Sequence, residues 1–203
     1  MKTTKITFIS LKRTLMMIGA LSVLILSNNC SSSSTPTCTT TNTDFQQLYT
    51  AAVALPNHVD VTSYDTEIHE YTFTLSQNKT ICSIGYQSLP ATATLPYKIE
   101  IKDNVANAII YTGNHVFSSA NTSYVSITPT NVIANNSYTI RRTILASAAG
   151  GISNVIGRLV RQNGALVTFP KTAGIMTITG AKFFQNGGPL VDAGIPFIDI
   201  AYY

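Results

Sequence analysis

The chain has 203 residues, 11% of them charged, with thirteen Lys and Arg against nine Asp and Glu and a formal charge of +4. Four basic residues (Lys2, Lys5, Lys12 and Arg13) crowd into the first 29 positions, where there is no acid, so the remainder is formally neutral and its charge argues against a nucleic-acid partner. A weakly charged chain rich in Thr, Ser, Asn and Tyr fits an extracellular β-rich protein, and the absence of Trp counts against a sugar-stacking platform unless the ten Tyr supply one.

Read from the start, the basic head runs into an apolar stretch over residues 15–26, broken only by Gly19 and Ser22. That stretch is too short to span a bilayer, which takes roughly 20 apolar residues, and it has the length of a secretory signal. Cys30 follows within four residues, where a lipoprotein peptidase would cut. The expectation is therefore a signal peptide over 1–29, a lipid anchor (palmitate among its chains) on Cys30, and an outer-membrane protein facing the periplasm or the exterior. The segment resembles a bacterial lipobox, which usually has Leu three places before the Cys and a small residue directly before it, but here Ser27 and Asn29 hold those places. Plain secretion with cleavage elsewhere is the alternative.

Residues 30–43 read as the lipidated Cys and a flexible Ser/Thr tether, and 44–203 as a single domain. Residues 44–55 fit either a short helix capped by Thr43 or Asp44, with Phe45, Leu48 and Ala52 on one face, or an extended strand. From Ile68 the period is two. Tyr71, Phe73 and Leu75 share a face, and Ser76 to Lys79 reads as a hairpin turn into residues 80–87. Over 97–102, Tyr97, Ile99 and Ile101 point inward while Lys98, Glu100 and Lys102 face water. Strands are expected at 108–112, 122–127 and 137–145, with Gly113-Asn114 as a turn. Asn163-Gly164 reads as a two-residue hairpin between strands at 155–160 and 165–169, since both residues tolerate positive φ. Segments 175–184 and 195–202 complete the set. About nine short strands with turns between them predict an all-β, antiparallel β-sandwich of jelly-roll-like form, with an up-and-down barrel as the alternative.

The segment from Glu67 to Phe73, then Ile84-Gly85-Tyr86-Gln87 and Pro96 to Ile101, with Ser137-Tyr138-Thr139-Ile140 later, resembles small Bacteroidota lipoproteins with an uncharacterised jelly-roll-like domain. The resemblance covers residues 60–145. It implies fold and location and carries no catalytic residues.

Chemistry is sparse. Asp60, Asp65, Glu67, His69 and Glu70 form the densest polar cluster. Asp60, Asp65 and Glu67 are the carboxylates that Ca²⁺ would use, a hard ion wanting roughly 6–8 oxygens; without a D-x-D-x-D-G loop, a solvated loop and no metal or other cofactor are expected. His58, His69 and His115 lack metal-site spacing. No G-x-S-x-G elbow occurs, and neither Gly150-Gly151 nor Gly187-Gly188 has a phosphate-loop context. A glycosidase would draw on Glu67, Glu70, Glu100, Asp192 or Asp199, but Asp199 reads as anchoring the last strand through hydrogen bonds. The adjacent pair Arg141-Arg142 would split across two faces of a strand. Tyr86, Tyr97, Tyr111, Tyr124 and Tyr138 are either a binding platform or core. Cys38 and Cys82 would pair in an oxidising compartment, yet Cys38 falls in the tether, so a buried free thiol at Cys82 is the favoured reading. The expected protein is not an enzyme but a lipid-anchored binding or structural module whose partner beyond the membrane is a glycan or an envelope protein. A carbohydrate-active or other hydrolytic enzyme is one alternative. An adhesin or assembly subunit, marked by an open sheet edge, is the other.

Overall fold

The computed structural model describes residues 36–61, 67–145, 157–185 and 188–203. The signal segment, Cys30 and Asp65 lie outside the described residues. From Thr37 onward the chain is an antiparallel β-sandwich, with one α-helix among the described residues.

The alternating pattern fixes the first layer. Strands β2 (Ile68–Leu75), β4 (Tyr97–Asp103), β5 (Ala108–His115), β7 (Tyr138–Ile144), β9 (Lys171–Ala173), β10 (Met176–Gln185) and β11 (Gly188–Val191) form one sheet. Its order is β11-β10-β2-β7-β4-β5, with β9 also paired to β10. Tyr71, Phe73, Leu75, Ile99, Ile101, Tyr138, Ile140, Ile178 and Phe183 are buried on its inner face. Every other residue on these strands points the opposite way, as the pleat requires.

The second layer is assembled from smaller pieces. Strands β3 (Lys79–Tyr86), β6 (Ser123–Val132) and β13 (Asp199–Tyr202) make one three-stranded sheet in the order β13-β3-β6. Strands β1 (His58–Val61), β8 (Leu159–Gln162) and β12 (Ile195–Pro196) make another, with β8 central. Helix α1 (Asp44–Val53) belongs to this layer too. Thr43 caps it, its side-chain oxygen accepting from the Gln46 amide at 3.0 Å. Phe45, Leu48, Tyr49 and Ala52 are its buried residues, spaced as one helical face. Phe45 stacks on Tyr71 of the large sheet at 5.5 Å and meets Phe197 edge-on at 5.4 Å. At the other end of the sandwich Tyr86 packs against Tyr97 at 5.0 Å and Phe117 at 5.3 Å. The guanidinium of Arg142, fully buried, lies 5.6 Å from both tyrosine rings and donates to the Glu67 carbonyl at 3.1 Å. Its aromatic neighbours supply cation–π attraction that a desolvated cation needs.

Several expectations change. Cys38 and Cys82 form a disulfide across a 44-residue separation, so Cys82 is not a free thiol and the chain after Cys38 is tied to the sandwich. Ser76 to Asn78 does not close a hairpin: β2 and β3 lie in different layers, because Leu75 and Ile81 must both reach one core from opposite sides. Gly113-Asn114 continues β5, where Gly113 pairs with Ile99 and lets the Tyr111 and His115 side chains meet above it. Asn163-Gly164 does turn the chain, with φ of +72° at Gly164, but residues 165–169 form no strand, and β8 pairs with β1 and β12 instead. The final segment divides at Phe197-Ile198 into β12 and β13, which serve different sheets.

The disulfide holds a long loop, so its loss costs about 3–4 kcal/mol of stability by the loop-closure relation for a 44-residue separation. Chemical denaturation of Cys82→Ser should show that loss, and reductant should lower the wild type by the same amount while leaving the variant unchanged.

Candidate functional site

The outward face of the large sheet gathers most of the exposed chemistry. Register places Lys182 opposite Glu70, Glu70 opposite Arg141, Arg141 opposite Glu100, and Glu100 opposite Thr112. The result is a single row across five strands whose charges alternate in sign. Arg141 Nη2 and Nε both reach Glu70 Oε2, at 2.6 and 2.7 Å, and its guanidinium lies 5.5 Å from the Phe184 ring. Glu70 is only 8% exposed in its side chain whereas Arg141 is 40% exposed, so the cation covers the carboxylate and keeps free edges toward solvent. Lys98 pairs with Glu100 Oε1 at 2.7 Å. Next to this row, Thr72 and Thr139 share a hydrogen bond at 3.2 Å, and Asn104 Nδ2 donates to Thr139 at 2.9 Å.

Two open concavities flank the row. One, of about 310 Å³, is lined by Glu100, Lys102, Asn107, Ile109, Thr139 and Arg141. The other, of about 270 Å³, lies where β10 bulges between Ile178 and Gly180, and Glu70, Thr72, Lys182 and Asp192 border it. Asp192, at φ +57°, accepts from the Ala181 amide at 2.9 Å and so closes the turn beside this hollow. Both hollows offer donors, acceptors and charges of each sign on a rigid sheet, which suits a polyhydroxylated or zwitterionic ligand.

Other sequence candidates serve the fold. Asp60 accepts from Arg158 Nε at 3.0 and 2.9 Å through its two oxygens and from Tyr49 OH at 3.0 Å. Arg158 in turn lies over the Tyr49 and Phe197 rings. Glu67 contributes its backbone carbonyl, to Arg142 and to the Ile144 amide. Thus Asp60 and Glu67 have separate structural partners, and no cluster of three His, Cys, Asp or Glu able to hold a metal occurs among the described residues. His69 is buried edge-on to Phe183. His115 Nε2 meets Tyr111 OH at 2.5 Å, and burial lowers its pKa. Of the tyrosines, Tyr86, Tyr97 and Tyr138 are core, while Tyr111 and Tyr124 are partly exposed.

Asp199 anchors the last strand, as its pattern suggested. It pairs with Gly85 on the side of the small sheet away from the core, and it is fully buried there. Thr43 Oγ1 donates to Oδ1 at 2.8 Å, Gln46 Nε2 donates to Oδ2 at 2.9 Å, and Tyr124 OH also donates to Oδ2. Gly85 is required below: a Cβ there would stand 2.4 Å from Cε1 of the Tyr124 ring. Burial raises the Asp199 pKa above 3.8, and the hydrogen bonds from Tyr124, Thr43, Gln46 and the Ile200 amide offset only part of that.

Compared with models of known protein families the chain matches none, and no curated protein matches it. The likeness of residues 60–145 to small lipoproteins therefore rests on the residues quoted for it. No helix among the described residues is long and apolar enough to cross a membrane.

This row, a charge ladder across the sheet, is not legible in the sequence. Lys98, Glu100 and Lys102 declared their outward face, but which residues of other strands would stand beside them depends on register between distant segments.

Because the folded state raises the Asp199 pKa, its contribution to stability is full below pH 3.8 and declines as pH rises from there to the folded-state value. Asp199→Asn should lack that decline in a series of denaturant titrations across acid pH. It should also be less stable by about 1–3 kcal/mol, since Gln46 and Tyr124 lose a shared acceptor.

Proposed function

We propose that the chain is a lipid-anchored envelope protein, held at Cys30, that acts as a binding module and takes a glycan or an envelope-protein segment on the outward face of the large sheet. One observation carries the reading. Cys38 is bonded to Cys82 on the small-sheet layer, and Thr43 and Gln46 cross the outer side of that layer to reach Asp199. On this reading the tether from Cys30 would enter at Cys38, on the side opposite the charged row, which supports a polar face turned from the membrane. The disulfide supports export, since such bonds persist in oxidising compartments. Outer-membrane placement belongs to the same proposal.

The face suits binding more than bond cleavage. Glu70 and Glu100 stand two strands apart, about 10 Å between strand axes, but Arg141 occupies the gap between them. Each carboxylate is ion-paired, Glu70 to Arg141 and Glu100 to Lys98. A general acid and base would need that gap for substrate.

Metabolic labelling with palmitate should mark the wild type and not Cys30→Ala; an unlabelled wild type would sink the anchor. On a glycan and envelope-peptide array, the Cys30→Ala chain should bind, and Arg141→Ala or Glu100→Ala should weaken that binding at least tenfold. Binding that ignores both substitutions places the ligand elsewhere.

A further inference from the structure

The large sheet ends on a strand built to be continued. β5 is eight residues long, and its backbone pairs on one side only, with β4. Its sequence, Ala-Ile-Ile-Tyr-Thr-Gly-Asn-His, contains no Pro, Lys, Arg, Asp or Glu. Natural edge strands are usually blunted by charge, Pro, shortness or cover. The other edges here follow that rule. β11 has four residues and Pro189, β12 has two and Pro196, β1 carries Asp60, and β9 has three with Lys171. β6 is long but carries Pro129, and its register breaks between its partners Ile81 and Ser83. β13 is buried. β5 alone among the described edges is long, uncharged and exposed, with Ile109 at 52% and the adjoining Val116 at 51% exposure. The irregularity in its pairing lies at the turn end, between Ile101 and Lys102, and leaves Tyr111–His115 in unbroken register with Tyr97–Ile101.

We infer that β5 is a self-association edge, joining two copies of this chain by antiparallel β5–β5 pairing. Three features favour a second copy as occupant. First, a strand without charge brings no like charges together when it meets its own image. A symmetric pair of a charged edge would do so. Second, an eight-residue self-pair gains roughly eight backbone hydrogen bonds from groups that otherwise face water. Third, the symmetry fits one membrane. Antiparallel pairing of identical edge strands has its two-fold axis normal to the sheet, so both ladders face one way and both Cys38 residues the other. Parallel pairing would turn one copy over and set the tethers on opposite sides. This third point rests on the proposed anchor at Cys30, whereas the first two do not.

The pairing makes one continuous sheet from two copies of the β11-β10-β2-β7-β4-β5 path. It also brings two copies of the Glu100–Lys102–Arg141 hollow to either side of the seam, because Ile109 lines that hollow and stands on the edge. A ligand longer than one hollow would then meet two.

The test is the mass of the full chain carrying Cys30→Ala, measured by light scattering after size exclusion at tens of micromolar, beside the detergent-solubilised wild type. A dimer is expected for both. In Ile109→Lys/Thr112→Lys, where two added ammonium groups per edge meet their images, the mass should fall by half while the circular dichroism and melting curve stay native. Should the double variant fail to fold, Thr112→Lys alone serves, as its ammonium lies opposite Glu100 within its own chain. A monomeric Cys30→Ala chain overturns the inference, and so does a dimer that survives the edge lysines. Association seen only in the lipidated wild type also overturns it and assigns the contact to the lipid. The palmitate experiment reads the anchor separately: a Cys30→Ala dimer with an unlabelled wild type would retain the edge and reject the anchor.

Discussion

The buried carboxylate of Asp199 is the point on which both ends of the folded chain depend. It lies on β13, near the last residue, and is held by Thr43 and Gln46, which begin the helix. The neighbouring contact runs the other way: Asp44, inside the same turn, accepts from Tyr202 OH at 2.6 Å and from the Ile175 amide at 2.8 Å. These two acids lock helix, final strand and the β9–β10 turn into one unit. Gly174, at φ +53°, sits so near the Asp44 carboxylate that a Cβ would fall 2.2 Å from Oδ1. A desolvated charge is costly unless its hydrogen bonds are complete. That condition makes the clasp demanding of geometry, since few arrangements of the leading segment satisfy all donors at once.

The large sheet separates the two uses of polarity. Arg141 and Arg142 are adjacent, yet one guanidinium lies in solvent over Glu70 and the other is sealed between Tyr86 and Tyr97. Their split follows from the pleat alone. The inner arginine joins two layers, contributing to packing as much as to charge, while the outer one covers the nearly buried Glu70 carboxylate and turns its remaining edges to solvent.

Legibility in the sequence followed the range of the interactions. The strands at 68–75 and 97–103 were plain because a period of two needs only neighbours, and α1 was half visible through Thr43 and the Phe45, Leu48 and Ala52 spacing. The split of residues 195–202 is hidden in the sequence, since apolar residues flanking a single Asp look the same whether they serve one sheet or two. β1, β9 and β11 are not legible because strands of three or four residues have too few alternations to declare themselves. The Cys38–Cys82 pairing ranks below a free thiol in the sequence for a related reason: the polarity of the segment around Cys38 describes its solvent preference and not the partner 44 residues away. In the candidate site, the outward residues of one strand could be read, and the row they form could not.

The bond at Cys38 also sets a leash. Cys30 and Cys38 are eight residues apart, and a fully extended chain of that length reaches about 25–30 Å. On the proposed anchoring, the domain stays within roughly its own diameter of the bilayer. Such a protein searches a thin shell above the membrane and little beyond it, so what it meets must either be fixed in that shell or be delivered to it.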